Sequence, residues 1–268
     1  MAILTISRQF GSGGSEIGRG VAEKLGYDYV HRGIILGSMR EEGNRWADWG
    51  KSLDEHSPSV WERYDWSFRG FAALLRSILL RCALQDNVII EGRGGNFLLA
   101  DVPYAFRIRV IAPIDTRVER IMERESVDRE TALWLAEKTE RDRRNFLRAL
   151  FGKDWNDPDA FDAVFSTDVQ PVADIVRILC DVLRARDEMK TPEAQERLKM
   201  RAAAANLEAG LTTYPNLFLN TLEAVAENDG VVLKGVVRSP KQKIRVEEIA
   251  RRLAGDIPLK FQLHYRAF

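Results

Sequence analysis

Three glycines and two serines crowd residues 11–15, Gly11-Ser12-Gly13-Gly14-Ser15, immediately after the run Ile3-Leu4-Thr5-Ile6-Ser7-Arg8-Gln9-Phe10. Glycines so closely spaced let consecutive backbone N–H groups converge on one point. A helix that starts there adds its partial positive charge, and the combination cradles a phosphate. Two elements must position such a turn. The apolar run from Ile3 has the pattern of a strand. Ile17, Val21, Ala22 and Leu25 then recur at helical spacing until Gly26 closes the segment. The alternative is a tight turn that only packs a helix against a sheet.

Set against the phosphate-binding pattern G-x-x-x-x-G-K-[ST] with Gly13 as its second glycine, Arg8 stands at the first glycine, Gly14 at the lysine and Ser15 at the hydroxyl. Ser15 can ligate Mg²⁺. The lysine that spans the β- and γ-phosphates is missing, and Arg8 is the nearest cation able to fold back over them. A second chemical cluster follows the apolar run Val88-Ile89-Ile90, where Glu91 leads into Gly92-Arg93-Gly94-Gly95. A carboxylate at a strand end beside a phosphate turn holds Mg²⁺ directly or through water. Arg93 offers a planar fork of donors to a second phosphate; the other reading makes Glu91 and Arg93 a surface pair. Arg117, Arg120, Arg124, Arg129, Arg141, Arg143, Arg144 and Arg148 crowd a later helical region, with Arg141, Arg144 and Arg148 on one face. They form either a lid over transferring phosphates or a solvated helix paired with Glu137, Glu140 and Asp142. Trp46, Trp49, Trp61 and Trp66 are read as packing of a helical subdomain, with base stacking as the alternative.

The 268 residues suffice for one large domain and a small one, and 40 basic residues balance 40 acidic ones. That balance gives no support for nucleic-acid or anionic-membrane binding. Cys82 and Cys180 sit in apolar helical contexts as buried thiols, and His31, His56 and His264 form no ligand cluster. A strand begins two residues in, and no apolar run reaches the ~18 residues of a membrane span, so a cytoplasmic protein without signal peptide is expected.

Strand and helix signals alternate through the first 185 residues, as a layered α/β fold requires. Short strands are expected at 27–30, 88–91, 106–111 and 163–167. Helices are expected at 68–83, through 115–150 and at 171–187. A charged, alanine-rich helix at 192–209 follows. After it come a strand from Leu217 to Val225, a Glu227-Asn228-Asp229-Gly230 turn and a strand at 231–237. A helix opened by Pro240 and a last strand at 259–265 complete a small α+β module. The expected division is 1–187, a connector at 188–206, and 207–268.

The opening ITISRQFGSGGSEIGRGVAEKLGYDYV, the strand VIIEGRGGNFLL and the stretch KTERDRRNFLRALFGKDWNDPDAFDAVFST together resemble the cytidylate kinase-like branch of the P-loop nucleoside monophosphate kinases. The resemblance covers about residues 1–185. It implies a three-layer P-loop kinase fold with a parallel sheet, and transfer of the ATP γ-phosphoryl group with Mg²⁺ to a nucleotide or small phosphate acceptor. Residues Arg8 to Ser15 (Gly11, Ser12, Gly13, Gly14 and Ser15 among them) would bind ATP phosphates, and Ser15 and Glu91 would serve the metal. Arg93 would hold the acceptor, while Arg8, Arg141 and Arg144 would act in transfer. Gly94 stands where cytidylate kinases carry an aspartate that contacts cytosine. Residues 207–265 resemble a BON domain through ENDGVVLKGVV and SPKQKIRVEEIARRLAG, which implies contact with a lipid or a protein partner; self-association is left open. The alternative function is a nucleotide-binding regulator of weak or no turnover.

Overall fold

The structure, a computed structural model, describes residues 2–55, 65–219 and 221–265. Trp61 and His56 therefore lie outside the described residues. Five strands, β1 (Ile3–Arg8), β2 (Asp28–Val30), β3 (Val88–Glu91), β4 (Ala105–Ile111) and β5 (Ala163–Ser166), form one sheet in the order β2-β3-β1-β4-β5. Every pairing in it is parallel. The central strand β1 is buried on both faces, which explains its nearly continuous apolar run.

Alternation along β1 sends its side chains to two cores. Ala2, Leu4 and Ile6 meet Ile17 and Val21 of α1 (Gly14–Leu25) and Ile175 and Leu179 of α8 (Val172–Arg186). Ile3, with Val88 and Ile90, meets Leu74, Leu75 and Ile78 of α4 (Trp66–Leu84) on the other face. The helices α2 (Arg32–Glu41) and α3 (Asn44–Glu55) extend that second core through Ile35, Met39 and Trp46. Trp46 is buried and its ring tilts against Trp66 at 6.0 Å, while Trp49 meets Phe68 edge-on at 6.0 Å, so these tryptophans pack the subdomain. A one-turn helix, α5 (Gly95–Leu98), follows β3.

The arginine-dense region is two helices, α6 (Ile114–Glu125) and α7 (Arg129–Phe151). Ser126 takes a left-handed conformation at the break, and the Asp128 carboxylate caps α7 by accepting from the Thr131 N–H at 2.8 Å. The sequence pattern reads straight through this break because both helices keep the same charged composition.

Beyond β5 and α8, α9 (Pro192–Thr212) leads to β6 (Thr221–Glu227), β7 (Gly230–Val237), α10 (Pro240–Ala254) and β8 (Leu259–Tyr265). β6 and β7 form the expected hairpin across Asn228-Asp229, and β8 joins β7 in parallel. Leu217 and Leu219 are buried without joining the strand, so β6 starts later than their hydrophobicity suggests. The residue 206/207 boundary expected from composition falls inside α9. That helix contributes Leu198 and Ala202 to the α4 core and Leu207 and Leu211 to the core under β7. No helix among the described residues is long and apolar enough to cross a membrane.

Candidate active site

The site lies at the carboxyl ends of β1 and β3, where parallel α/β sheets present their ligand-binding crevice. β1 runs into a turn in which Gly11 and Gly13 take φ of 81° and 80°, values that favour glycine. Ser12 is buried, and its hydroxyl donates to the Gln9 carbonyl at 2.9 Å, so it closes the turn from within. Outside supports fix the rest. The Thr167 hydroxyl donates to the Ser12 carbonyl at 2.8 Å, and the Ala112 N–H donates to Gln9 Oε1 at 3.1 Å. Arg117 reaches the Phe10 carbonyl, and Arg120 donates to Thr167 Oγ1 at 2.8 Å. Glu16 and Ile17 send their N–H groups back to the Gly13 carbonyl. Among the described residues, the N–H groups of Gly11, Gly13, Gly14 and Ser15 have no protein acceptor. Four donors at a helix N-terminus are thus held in place with hydrogen-bonding capacity to give.

Arg8 closes this turn in an unexpected way. A Cβ on Gly14 would stand 2.6 Å from Arg8 Cβ and 3.0 Å from Cγ, and one on Gly92 would stand 2.5 Å from an Arg8 guanidinium nitrogen. Two glycines therefore form the slot through which the Arg8 side chain runs. Its guanidinium pairs with Glu91, which is 6% exposed and whose other oxygen accepts from the Tyr29 hydroxyl. The Arg8 carbonyl accepts from Arg143 Nη1 at 2.8 Å.

After β3 the backbone takes three left-handed residues in succession, Gly92 (φ 74°), Arg93 (φ 56°) and Gly94 (φ 79°). For the arginine this conformation costs about 1–2 kcal/mol. It turns Arg93 into a cavity of about 110 Å³ lined by Arg8, Arg32, Arg93, Arg143, Glu91 and Trp155 among others. Trp155 also donates its indole N–H to Ser7 Oγ at 2.8 Å. Below it, Arg109 of β4 is buried and donates to the Trp155 carbonyl at 2.5 Å and to Asn156 Oδ1 at 2.7 Å. Burial holds the Arg109 pKa below the usual arginine value.

This is the geometry in which residues 3–169 match the description "Cytidylate kinase-like family". The chain belongs to that family. Similar curated proteins of the cytidylate kinase-like kind include the cytidylate kinase of Pyrococcus horikoshii, 29% identical over 173 residues, covering 62% of this chain and 79% of that protein. Another is the cytidylate kinase of Pyrobaculum aerophilum, 30% identical over 184 residues, covering 68% and 92%. A crystal structure of an uncharacterised protein from Eubacterium ventriosum superposes with a TM-score of 0.55 at 19% identity, covering 69% of this chain and 99% of that one. That likeness speaks to the fold alone.

The structure brings Arg8, Glu91 and Arg93 of this cytidylate kinase-like chain to one cavity, with Gly14 of the 11–15 turn packed against the Arg8 stem. Arg141 and Arg144 do not line that cavity: both are exposed on α7, Arg144 within electrostatic reach of Arg109. Arg143, named with its neighbours in the sequence but given no role there, is the arginine of that helix that reaches the turn and lines the cavity. The signal was available, because Arg143 shares its helix face with Phe146, Leu147 and Leu150 at spacings of three, four and seven. Arg32, Tyr29 and Trp155 were also missed. They lie in short or turn-rich segments where spacing carries no face information.

Proposed function

We propose that this chain is an ATP- and Mg²⁺-dependent phosphotransferase of the nucleoside monophosphate kinase type, acting on a nucleotide or small phosphate acceptor. One observation carries the reading: four unspent main-chain N–H groups at residues 11–15, with Arg8 laid alongside. The turn binds the donor's β- and γ-phosphates. Arg8 supplies the positive charge that the pattern's lysine would supply, from a position between the turn and the cavity. Arg93 and Arg143 hold the acceptor on the other side.

Mg²⁺ suits the donor set present. This ion keeps several waters and takes one or two protein oxygens plus phosphates, so the absence of a three-ligand acidic cluster among the described residues is no obstacle. Ser15 would hold it directly. Glu91 would hold it through water, since both its oxygens already accept hydrogen bonds. When bound, the ion neutralises charge on the transferring phosphoryl group. An ionised phosphate acceptor needs no general base, so positioning and charge neutralisation are the work the protein's residues do.

The C-terminal unit is proposed to be a BON-like module that contacts a lipid or protein partner, on the order of its elements and the exposed Lys241, Arg245, Arg251 and Arg252. The division 1–187, 188–206 and 207–268 is retained as the proposed organisation. A coupled ADP-release assay across nucleoside monophosphates and simple phosphate monoesters tests the enzyme reading. Turnover that depends on acceptor and Mg²⁺ supports it. ATP bound without ADP release from any mixture would leave a nucleotide-binding regulator.

A further inference from the structure

β6 is an outer strand of the sheet β6-β7-β8, with β7 on one side and no strand on the other. Its register with β7 runs without a bulge from Thr221 to Glu227, and it contains no proline. Ala224 directs its N–H away from β7, to Glu208 Oε2 at 3.1 Å. Outward main-chain groups recur at every second residue of an antiparallel ladder, so Leu222 and Ala226 present theirs on that same side. Among the described residues neither of those two N–H groups meets an acceptor. Natural sheet edges are blunted by lysine, proline, a bulge or a covering element, because a bare edge templates a further strand. Here Glu208 blunts one position and leaves its two neighbours open.

This edge borders a groove of about 870 Å³, inside the range of roughly 300–1,000 Å³ for ligand-binding clefts. Residues 221–226 all line it, a strand length of about 20 Å. Phe68, Ala72, Arg76 and Leu80, spaced four apart on α4, form another wall. α9 packs against both α4 and β6 and makes the floor with Ala204, Ala205 and Glu208. Three arginines line the groove, and two have counter-charges. Arg76 pairs with Glu208, and Arg201 pairs with Asp101 and donates to the Leu98 carbonyl at 2.6 Å. The other acid of the lining, Glu223, stands opposite Lys234 in the β6–β7 ladder. Arg69 is half-buried, and among the described residues its guanidinium has no ion-pair or hydrogen-bond partner. Its charge is the one the groove leaves for an incoming anion to match.

We propose that this groove takes an extended peptide, which adds to the outer edge of β6 as a fourth strand and sets an acidic side chain against Arg69. Main-chain donors and acceptors repeating at every second residue match another extended main chain, while the side chain opposite Arg69 gives selectivity. The surface is separate from the nucleotide crevice and from the basic residues of α10, so the proposal stands whether or not the chain turns ATP over.

Fluorescence anisotropy of labelled, capped octapeptides titrated with the full-length protein tests this. The probes are built from Val and Thr, with a single Glu moved through every position in turn and a Lys series as control. In at least one register the Glu peptide binds saturably, roughly tenfold more tightly than its Lys counterpart. N-methylation of that peptide, one residue at a time, weakens binding at alternate residues and leaves the residues between unaffected. Arg69→Gln abolishes the preference for Glu over Lys. Ala226→Pro, or Leu222→Pro if near-UV circular dichroism shows the first variant misfolded, removes an outward donor but no bond to β7, and weakens the peptide about tenfold. Absence of binding by every peptide, N-methyl effects without a two-residue period, or a Glu preference that survives Arg69→Gln would each overturn the proposal. The N-methyl series needs no change to the protein, so it decides the question even if both proline variants fail to fold.

Discussion

Arg8 and Gly14 occupy complementary space: the arginine's Cβ and Cγ lie where a side chain at position 14 would begin. In the phosphate-binding pattern these two positions carry a glycine and a lysine. The two departures are therefore one exchange, in which the cation has moved from the helix start to the strand end. Gly14→Lys alone should force the turn open, lowering stability by about 1–3 kcal/mol, the range for overpacking, and weakening ATP. Arg8→Gly/Gly14→Lys should recover both. Urea titration and ATP calorimetry on the two variants check this; a single variant as stable and as tight as wild type would break the link.

Tyr29 holds Glu91 from the side opposite Arg8. A hydrogen bond to a charged group contributes about 1.5–3 kcal/mol, so Tyr29→Phe should lower stability within that range. It should also raise the Mg²⁺ concentration needed for half-maximal ADP release, because Glu91 is then less firmly placed. Unchanged Mg²⁺ dependence alongside a normal melting curve would remove Tyr29 from the site's support.

Asp162 ties the start of β5 to β4, accepting from the Arg107 backbone N–H at 2.8 Å and from its Nη2 at 2.9 Å. Burial raises its pKa, but the Arg107 hydrogen bonds outweigh that and leave it below 3.8. A depressed folded value means stability that is present above 3.8 and lost as pH falls through the lowered value. Asp162→Asn should therefore cost about 1.5–3 kcal/mol at neutral pH, with the gap to wild type closing below pH 3.8. A gap that persists unchanged into acid would contradict the assignment.

The strands, the glycine turn and the hairpin were legible in the sequence because each rests on local pattern: β1 on an apolar run, the turn on its glycines, the hairpin on Asn228-Asp229-Gly230. The partners of those groups were not. That Arg8 meets Glu91 depends on β1 lying beside β3, with Ile6 opposite Glu91, a register no local pattern encodes. Arg141 and Arg144 attracted notice by spacing, yet the face of α7 that turns inward is set by Phe146 and Leu147, and Arg143 shares it. The packing of Phe151 against Gly94 was equally hidden, since the residues are 57 positions apart in the chain.

α9 joins the two halves of the molecule. Glu208 pairs with Arg76 of α4 and accepts from the Ala224 N–H of β6 at 3.1 Å. A chain ending at residue 187 would leave the α4 face that meets Ala194, Leu198 and Ala202 open to water. It should melt several degrees below the full-length protein, as loss of a few kcal/mol of apolar burial implies, and bind an exposed-hydrophobe dye. Equal melting temperatures would show that α9 contributes nothing to the larger core.

The most direct test of the central claim is a calorimetric titration of Mg²⁺-ATP into the wild type and an Arg8→Met variant, which keeps the stem in the Gly14–Gly92 slot and removes the charge. The account predicts saturable binding at one site by the wild type, weakened at least tenfold in the variant, or about 1.4 kcal/mol. Equal affinity in the two proteins, or no ATP binding by the wild type, would contradict it.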